Sequence, residues 1–266
     1  MKPREILITN DDGIEARGLH FLAGIMRHYG NVTIVAPKEP QSAKSAALTL
    51  HTPIYLEKVG GEEGFRIFTL TGTPADCVKM GMRLFLEEGR TPDLLMSGIN
   101  HGTNASVATV YSGTLGATAE GSIYDVPSIG FSIDTHDPDP DFSIVAQYGP
   151  KILDEALENG LPSGTYLNVN FPNIPPAEVK GIRVTRMGRG RWVREYDPET
   201  DEQGRECYVM RGVFENLESS AVVPAFGEGI TGDHVAIKAG YIAITPVRLD
   251  NTDYIAADEI SNSWKL

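Results

Sequence analysis

The chain has 266 residues, 41% of them hydrophobic and 22% charged, an ordinary globular mix that can bury a core without disulfides or a structural metal. Its formal net charge of −13 argues against a scaffold that grips polymeric nucleic acid, because such proteins replace counterions along the phosphate backbone with Lys and Arg. The two cysteines, Cys77 and Cys207, form no CxxC pattern and read as free thiols in a reducing compartment. No apolar signal core follows Met1-Lys2-Pro3-Arg4-Glu5, and no apolar stretch approaches the ~20 residues a membrane helix needs. The expectation is a cytoplasmic protein with no membrane partner.

Ile6-Leu7-Ile8 is a short apolar run that stops at Asn10-Asp11-Asp12-Gly13, as a buried parallel strand would. Leu19, Leu22, Ala23 and Met26 recur at helical spacing, with Gly30 as the stop signal. Residues 32–35 form a second strand, and after a Ser/Ala-rich loop residues 48–55 and 66–70 read as two more. Thr73-Pro74-Ala75-Asp76 is a helix start: Thr73 caps, Pro74 suits the first helical position, and Asp76 complements the positive end of the dipole. Leu94-Leu95-Met96 is a further buried strand, breaking into a polar, glycine-rich loop over 97–116, and a helix covers about 113–124. Residues 127–133 read as strand, 144–157 as helix and 166–171 as strand. Strand, polar loop and helix in repetition indicate an α/β fold with a mostly parallel sheet flanked by helices on both faces. Residues 192–210 change character, reading as two polar, alternating arms of a long exposed hairpin. Such an arm cannot build its own core and is expected to pack on a partner surface or another subunit. Asp137-Pro138-Asp139-Pro140-Asp141 reads as a stiff, solvated connection.

Ligands of open parallel sheets gather outside the carboxyl ends of the strands. Three polar clusters fall there: Asn10-Asp11-Asp12-Gly13, the loop around Gln41-Ser42, and Ser97-Gly98-Ile99-Asn100. Adjacent side chains on a regular strand point to opposite faces, so Asp11 and Asp12 converge only if the chain turns, which Gly13 permits. Converging carboxylates repel unless a cation sits between them, and hard oxygen ligands suit Mg²⁺, Mn²⁺ or Ca²⁺ rather than zinc. The plainer alternative makes one aspartate a helix cap and leaves the other solvated. An aspartyl-phosphate mechanism would need an acidic residue at position 13, which is glycine. Ser42 and Asn100 are neutral oxygen donors able to complete a metal shell, although either alone would pass for loop hydrogen bonding. The stretch 97–104 and Tyr111-Ser112-Gly113-Thr114 can present backbone N–H groups, and Ser112 at a helix N-terminus, to an anion. His101 is a candidate general acid or base.

Together these stretches resemble the SurE (survival protein E) family of metal-dependent nucleotidases. The matching pieces are Ile6-Leu7-Ile8-Thr9-Asn10-Asp11-Asp12-Gly13, Ala36-Pro37 with Ser42, Gly72-Thr73-Pro74-Ala75-Asp76-Cys77-Val78-Lys79, Ser97-Gly98-Ile99-Asn100 with Gly102 and Asn104, and Tyr111-Ser112-Gly113-Thr114. Asn168-Val169-Asn170-Phe171-Pro172 and Gly240-Tyr241-Ile242-Ala243-Ile244-Thr245-Pro246 match further on. The resemblance implies one Rossmann-like domain over 1–266, with a core to about 185 and a hairpin and C-terminal extension over about 186–266 exchanged within a homodimer or homotetramer. It implies hydrolysis of nucleoside 5′- and 3′-monophosphates with one divalent metal ion per subunit, Mg²⁺ or Mn²⁺, with Ca²⁺ or another divalent cation as a substitute. By the same resemblance Asp11, Asp12, Ser42 and Asn100 fall where the family binds its metal, with the aspartates catalytic, and Asn10, Gly98, Asn104, Ser112, Gly113 and Thr114 fall near the phosphate. The sequence departs from the family pattern at Gln41, commonly Arg, and at Ser106, usually glycine. The expected chemistry is metal-assisted hydrolysis without a covalent intermediate. The alternatives are an exopolyphosphatase or broad phosphomonoesterase on the same site, or a nucleotide-binding module without catalysis. The Asp11–Asp12 pair argues against the module, since carboxylates facing a phosphate repel it unless a metal intervenes.

Overall fold

In the computed structural model, which describes residues 2–219 and 230–264, the chain begins with β1 (Arg4–Thr9), α1 (Arg17–Met26), β2 (Gly30–Pro37), β3 (Leu56–Glu62) and β4 (Phe65–Leu70). Next come α2 (Pro74–Glu87), β5 (Leu94–His101), α3 (Ala108–Tyr111), α4 (Gly113–Ile123), β6 (Ser128–Ile133), α5 (Ser143–Asn159) and β7 (Thr165–Phe171). Beyond them lie β8 (Ile182–Val184), β9 (Gly190–Val193), β10 (Tyr196–Thr200), β11 (Glu206–Met210), β12 (Val213–Asn216), α6 (Asp233–Lys238), β13 (Ile242–Arg248) and α7 (Tyr254–Ser263).

Nine strands make one sheet in the order β3-β4-β2-β1-β5-β6-β7-β13-β8. From β4 to β7 all pairings are parallel, whereas β3 on β4 and β13 on β7 are antiparallel. The alternation of a strand decides which layer each side chain joins. Ile6 and Ile8 of β1 pack with Leu19, Leu22 and Met26 of α1 and with Ile152 and Leu153 of α5. Leu7 faces the other way, with Val78, Met82 and Phe85 of α2 and Ala117 of α4. The mostly parallel sheet flanked by helices is therefore the fold expected from the repeating pattern. β1 pairs with β2 on one side and β5 on the other, so the strand order reverses here, and it is outside the carboxyl ends of strands at such a point that open sheets form their ligand crevice.

The start of α2 forms as the sequence predicts. Thr73 accepts from the Asp76 N–H (3.2 Å), Asp76 accepts from the Thr73 N–H (2.9 Å), and Pro74 occupies the first turn. The strand expected over 48–55 is absent, and β3 begins only at Leu56. At its start the stretch is tied to the α2 cap instead of to a ladder, and at its end Tyr55 exchanges bonds with Thr71. The Thr49 N–H lies 3.2 Å from both Asp76 oxygens, and the Thr73 hydroxyl donates to the Ala47 carbonyl at 2.6 Å. The hairpin is longer than the sequence suggests: β9 pairs with β12 at its base and β10 with β11 at its tip. The left-handed backbone of Arg194 (φ 50) and Gly212 (φ 28) separates the two pairs. Past the hairpin the chain re-enters the central sheet as β13, between β7 and β8.

Candidate active site

Asp11 and Asp12 follow β1 directly. Gly13, at φ 98, turns the chain, and its Cβ position would lie 3.5 Å from Glu39 and Pro40 backbone atoms, so the loop after β2 runs close by. Asn10 is fully buried and its amide nitrogen donates to the Gly13 carbonyl (2.9 Å), which braces the turn.

The turn delivers Asp11 to the first residues of α4. Thr114 donates its hydroxyl to Asp11 Oδ1 at 2.5 Å, and a Cβ on Gly113 would sit 2.8 Å from the Asp11 Cβ. Ser112 caps α4, its Oγ accepting the Leu115 N–H at 3.1 Å. A helix N-terminus favours a nearby anion, yet burial prevails and pushes the Asp11 pKa up to about 6 despite the Thr114 bond, with the Asp12 charge adding to the rise. Asp12 accepts the His101 N–H at 3.3 Å, and burial also raises its pKa.

The carboxyl end of β5 is irregular. The pairing with β6 shifts register between Ser97 and Asn100, and the Gly98–Ile99 peptide is cis. Gly98 has φ 130, and a Cβ there would come within 2.3 Å of the Phe131 carbonyl oxygen, so this position requires glycine. Asn100 donates its amide to the Gly102 and His101 carbonyls (2.7 and 3.2 Å), leaving Oδ1 as its donor atom toward a cation. The His101 ring stacks on Phe142, and burial lowers its pKa ahead of the Arg17 and His136 charges. Ser42 is exposed and is brought to the site through its neighbour, since the Gln41 N–H donates to the Asp11 carbonyl at 2.7 Å. The Gln41 side chain bonds back to the Glu39 carbonyl (3.3 Å).

Asn104 is anchored on all sides. Its N–H donates to Asn170 Oδ1 (2.8 Å), its carbonyl accepts from Asn168 Nδ2 (2.9 Å) and Thr109 Oγ1 (2.8 Å), and its side-chain amide bonds the Ser132 hydroxyl (2.8 Å). A hydroxyl can accept or donate, so that amide can also turn its NH₂ outward and accept from Ser132. The structure thus brings the surroundings of Asp11, Asp12, Ser42 and Asn100 to one place, with Asn10, Gly98, Ser112, Gly113 and Thr114 beside them. The asparagine pair on β7 escaped the reading of the residues. Its signal was Asn168 and Asn170 two apart on one face of a buried strand, where apolar residues are the rule.

The donor set suits a hard cation. Two carboxylates held above their ordinary range by burial cannot both ionise cheaply without a positive charge between them. Asn10 Oδ1 and Ser97 Oγ are buried at the same strand ends without a hydrogen-bond partner. Among the described residues, no cluster of three or more His, Cys, Asp or Glu side chains is placed to hold a metal, so no softer site competes.

The sequence profile described as "Survival protein SurE" matches residues 6–194. The chain is 40% identical over 263 residues to a protein of Christiangramia forsetii named 5'-nucleotidase SurE, covering 98% of this chain and 96% of that protein. It is 40% identical over 268 residues to the protein of that name from Chlorobium phaeobacteroides, covering 100% and 98%. The crystal structure of the SurE protein from Aquifex aeolicus superposes with a TM-score of 0.79 at 34% identity, covering 97% of this chain and 98% of that one. The chain belongs to the SurE family.

Proposed function

We propose that the chain is a 5′-nucleotidase, a phosphoric monoester hydrolase that converts nucleoside 5′-monophosphates, and 3′-monophosphates at the same site, to nucleoside and phosphate. The observation that carries this reading is the adjacent pair of Asp11, buried against the N-terminus of α4 where Thr114 bonds it directly, and half-buried Asp12, which accepts the His101 N–H at the end of β5. The family, and relatives named 5'-nucleotidase SurE along their whole length, agree with it.

One divalent cation, Mg²⁺ or Mn²⁺, would be held by Asp11, Asp12, Ser42 and Asn100. When bound, it supplies a Lewis acid that neutralises phosphoryl charge. The chain's own residues do the rest. Asp11 and Asp12 accept the positive charge that makes an anionic substrate tolerable in this crevice. Ser112, Gly113 and Thr114 bring the positive end of α4 to the phosphate, and Asn10, Gly98 and Asn104 line its approach. A water held at the cation and His101, whose backbone N–H bonds Asp12, are the two candidates to protonate the leaving ribose oxygen.

A homodimer or homotetramer is supported by the apolar side chains left exposed on the hairpin, on α7 and just after it: Tyr196, Tyr208, Met210, Ile255 and Trp264. A cytoplasmic location accords with the free thiols of Cys77 and Cys207. Among the described residues no helix is long and apolar enough to cross a membrane. The reading is tested by phosphate release from nucleoside monophosphates and from short polyphosphate in one buffer. Faster release from polyphosphate would replace it with the exopolyphosphatase alternative.

A further inference from the structure

The loop after β5 is fastened by side chains for which the proposed chemistry has no use. Asp233, the first residue of α6, is completely buried. Its Oδ1 accepts N–H bonds from Ser106 (2.9 Å), Gly188 (3.0 Å) and His234 (2.8 Å). Removing a carboxylate from water is costly unless polar hydrogens converge on it, and here they come from three separate segments. Ser106 is itself fully buried and sits at φ 55, a left-handed conformation uncommon for a residue with a side chain. Its hydroxyl donates to the Gly188 carbonyl at 2.9 Å, so both its N–H and its Oγ are tied to the chain that enters the hairpin. Gly190, at the start of β9, packs so closely that a Cβ there would lie 2.9 Å from Ser106 Oγ.

A second anchor holds the same loop from β7. Asn170 Oδ1 accepts the Thr103 hydroxyl (3.0 Å) and the Asn104 N–H (2.8 Å), and its own amide is held by Asn168 Oδ1 (2.8 Å). The anchors come from β7 and α6, which lie far along the chain from the loop, and neither bonds Asp11 or Asp12.

We infer that Asp233 and Asn170 are positioning residues that fix residues 103–106, and with them Asn104, in the shape that receives the phosphate. Through Asp233 the segment beyond the hairpin thereby sets phosphate affinity without touching phosphate, as β7 does through Asn170. This rests on the phosphatase reading of the crevice. Asp11 and Asp12 are independent of the anchors, so the cation requirement is expected to stay put when the anchors are cut.

The test uses the full chain as wild type, Asp233→Ala, Asp233→Asn and Asn170→Ala. Four quantities are measured: KM and kcat on a nucleoside 5′-monophosphate, binding of inorganic phosphate by calorimetry and as product inhibition, the half-activating Mn²⁺ concentration, and amide hydrogen exchange over 103–112. Loss of either anchor should raise KM and the phosphate dissociation constant about 10-fold, a loss typical of sub-ångström misplacement at a site. Asp233→Asn keeps Oδ1 and should limit the rise to about threefold, since its bonds become neutral ones. Exchange over 103–112 should quicken while that of β1 and β2 stays unchanged, and half-activation by Mn²⁺ should stay within about twofold because its ligands are untouched. A merely structural role would lower the folded fraction and leave KM and phosphate binding per folded molecule at wild-type values, and that result overturns the inference. Should the alanine variants fail to fold, Asp233→Asn decides, and wild-type phosphate binding with wild-type exchange over 103–112 overturns it. Exchange and calorimetry need no turnover, so a wild type that releases no phosphate counts against the phosphatase reading alone.

Discussion

Replacing Asp11 with Asn should abolish turnover and, in the metal-free protein, raise stability. Burial places the Asp11 pKa at about 6 against an ordinary 3.8, roughly two pH units, and at about 1.4 kcal/mol per unit the ionised side chain costs the metal-free fold about 3 kcal/mol. The folded value lies above the unfolded one, so the cost is absent below pH about 4, grows as the pH rises to about 6, and is full above that. The amide that replaces the carboxylate carries no charge and still offers Thr114 an oxygen. The Asp11→Asn variant should therefore exceed wild type by about 3 kcal/mol at pH 7.5 and by about 1 kcal/mol at pH 4.5. For 266 residues an unfolding entropy of about 2.1 cal/mol/K per residue turns the larger figure into a Tm gain of about 5 °C. The assay is denaturant and thermal unfolding of both proteins after chelation, at both pH values, repeated with Mn²⁺. At about 100 times its Kd the cation should return about 2.7 kcal/mol to wild type and nothing comparable to the variant. A metal-free variant less stable than wild type at pH 7.5, or an advantage that does not change with pH, would refute the view of Asp11 as an electrostatically costly residue kept for its cation.

Gly113→Ala should lower kcat about 10-fold or more and cost about 1–3 kcal/mol of stability, because the new Cβ would lie 2.8 Å from the Cβ of buried Asp11 and displace the carboxylate; paired kinetics and melting curves check it. Thr73→Ala removes the acceptor of the Asp76 N–H and the donor to the Ala47 carbonyl, and should cost about 1–2 kcal/mol in denaturant unfolding while sparing kcat. Deleting residues 192–210 should lower the mass measured by light scattering, and an unchanged mass would remove the hairpin from the subunit interface.

The elements legible in the sequence are those whose local signals and tertiary roles coincide. Ile6-Leu7-Ile8 is apolar throughout because both faces of β1 are covered, by α1 on one side and α2 on the other. Thr73-Pro74-Ala75-Asp76 announces its helix because the cap is made within those four residues. Residues 48–55 misled because their alternation looks like a strand, while the Thr49 N–H goes to Asp76 and Tyr55 exchanges bonds with Thr71, partners that only the fold supplies. The Asp-Asp-Gly turn disclosed a site by its own chemistry. The anchoring of Asn104 did not, because Asn168, Asn170 and Asp233 reach its loop from 60 or more residues away, as the separations of 64, 66 and 127 show. The departure at Ser106 likewise gains its meaning from Gly188, which accepts its hydroxyl.

The most direct test of the account is phosphate release from a panel of nucleoside 5′- and 3′-monophosphates by metal-stripped protein, with Mg²⁺, Mn²⁺ or no cation added back. The account predicts no release without cation, restored release with Mg²⁺ or Mn²⁺, and no restoration in the Asp11→Asn or Asp12→Asn variants. Full activity of stripped protein, or wild-type turnover in either variant, would contradict it.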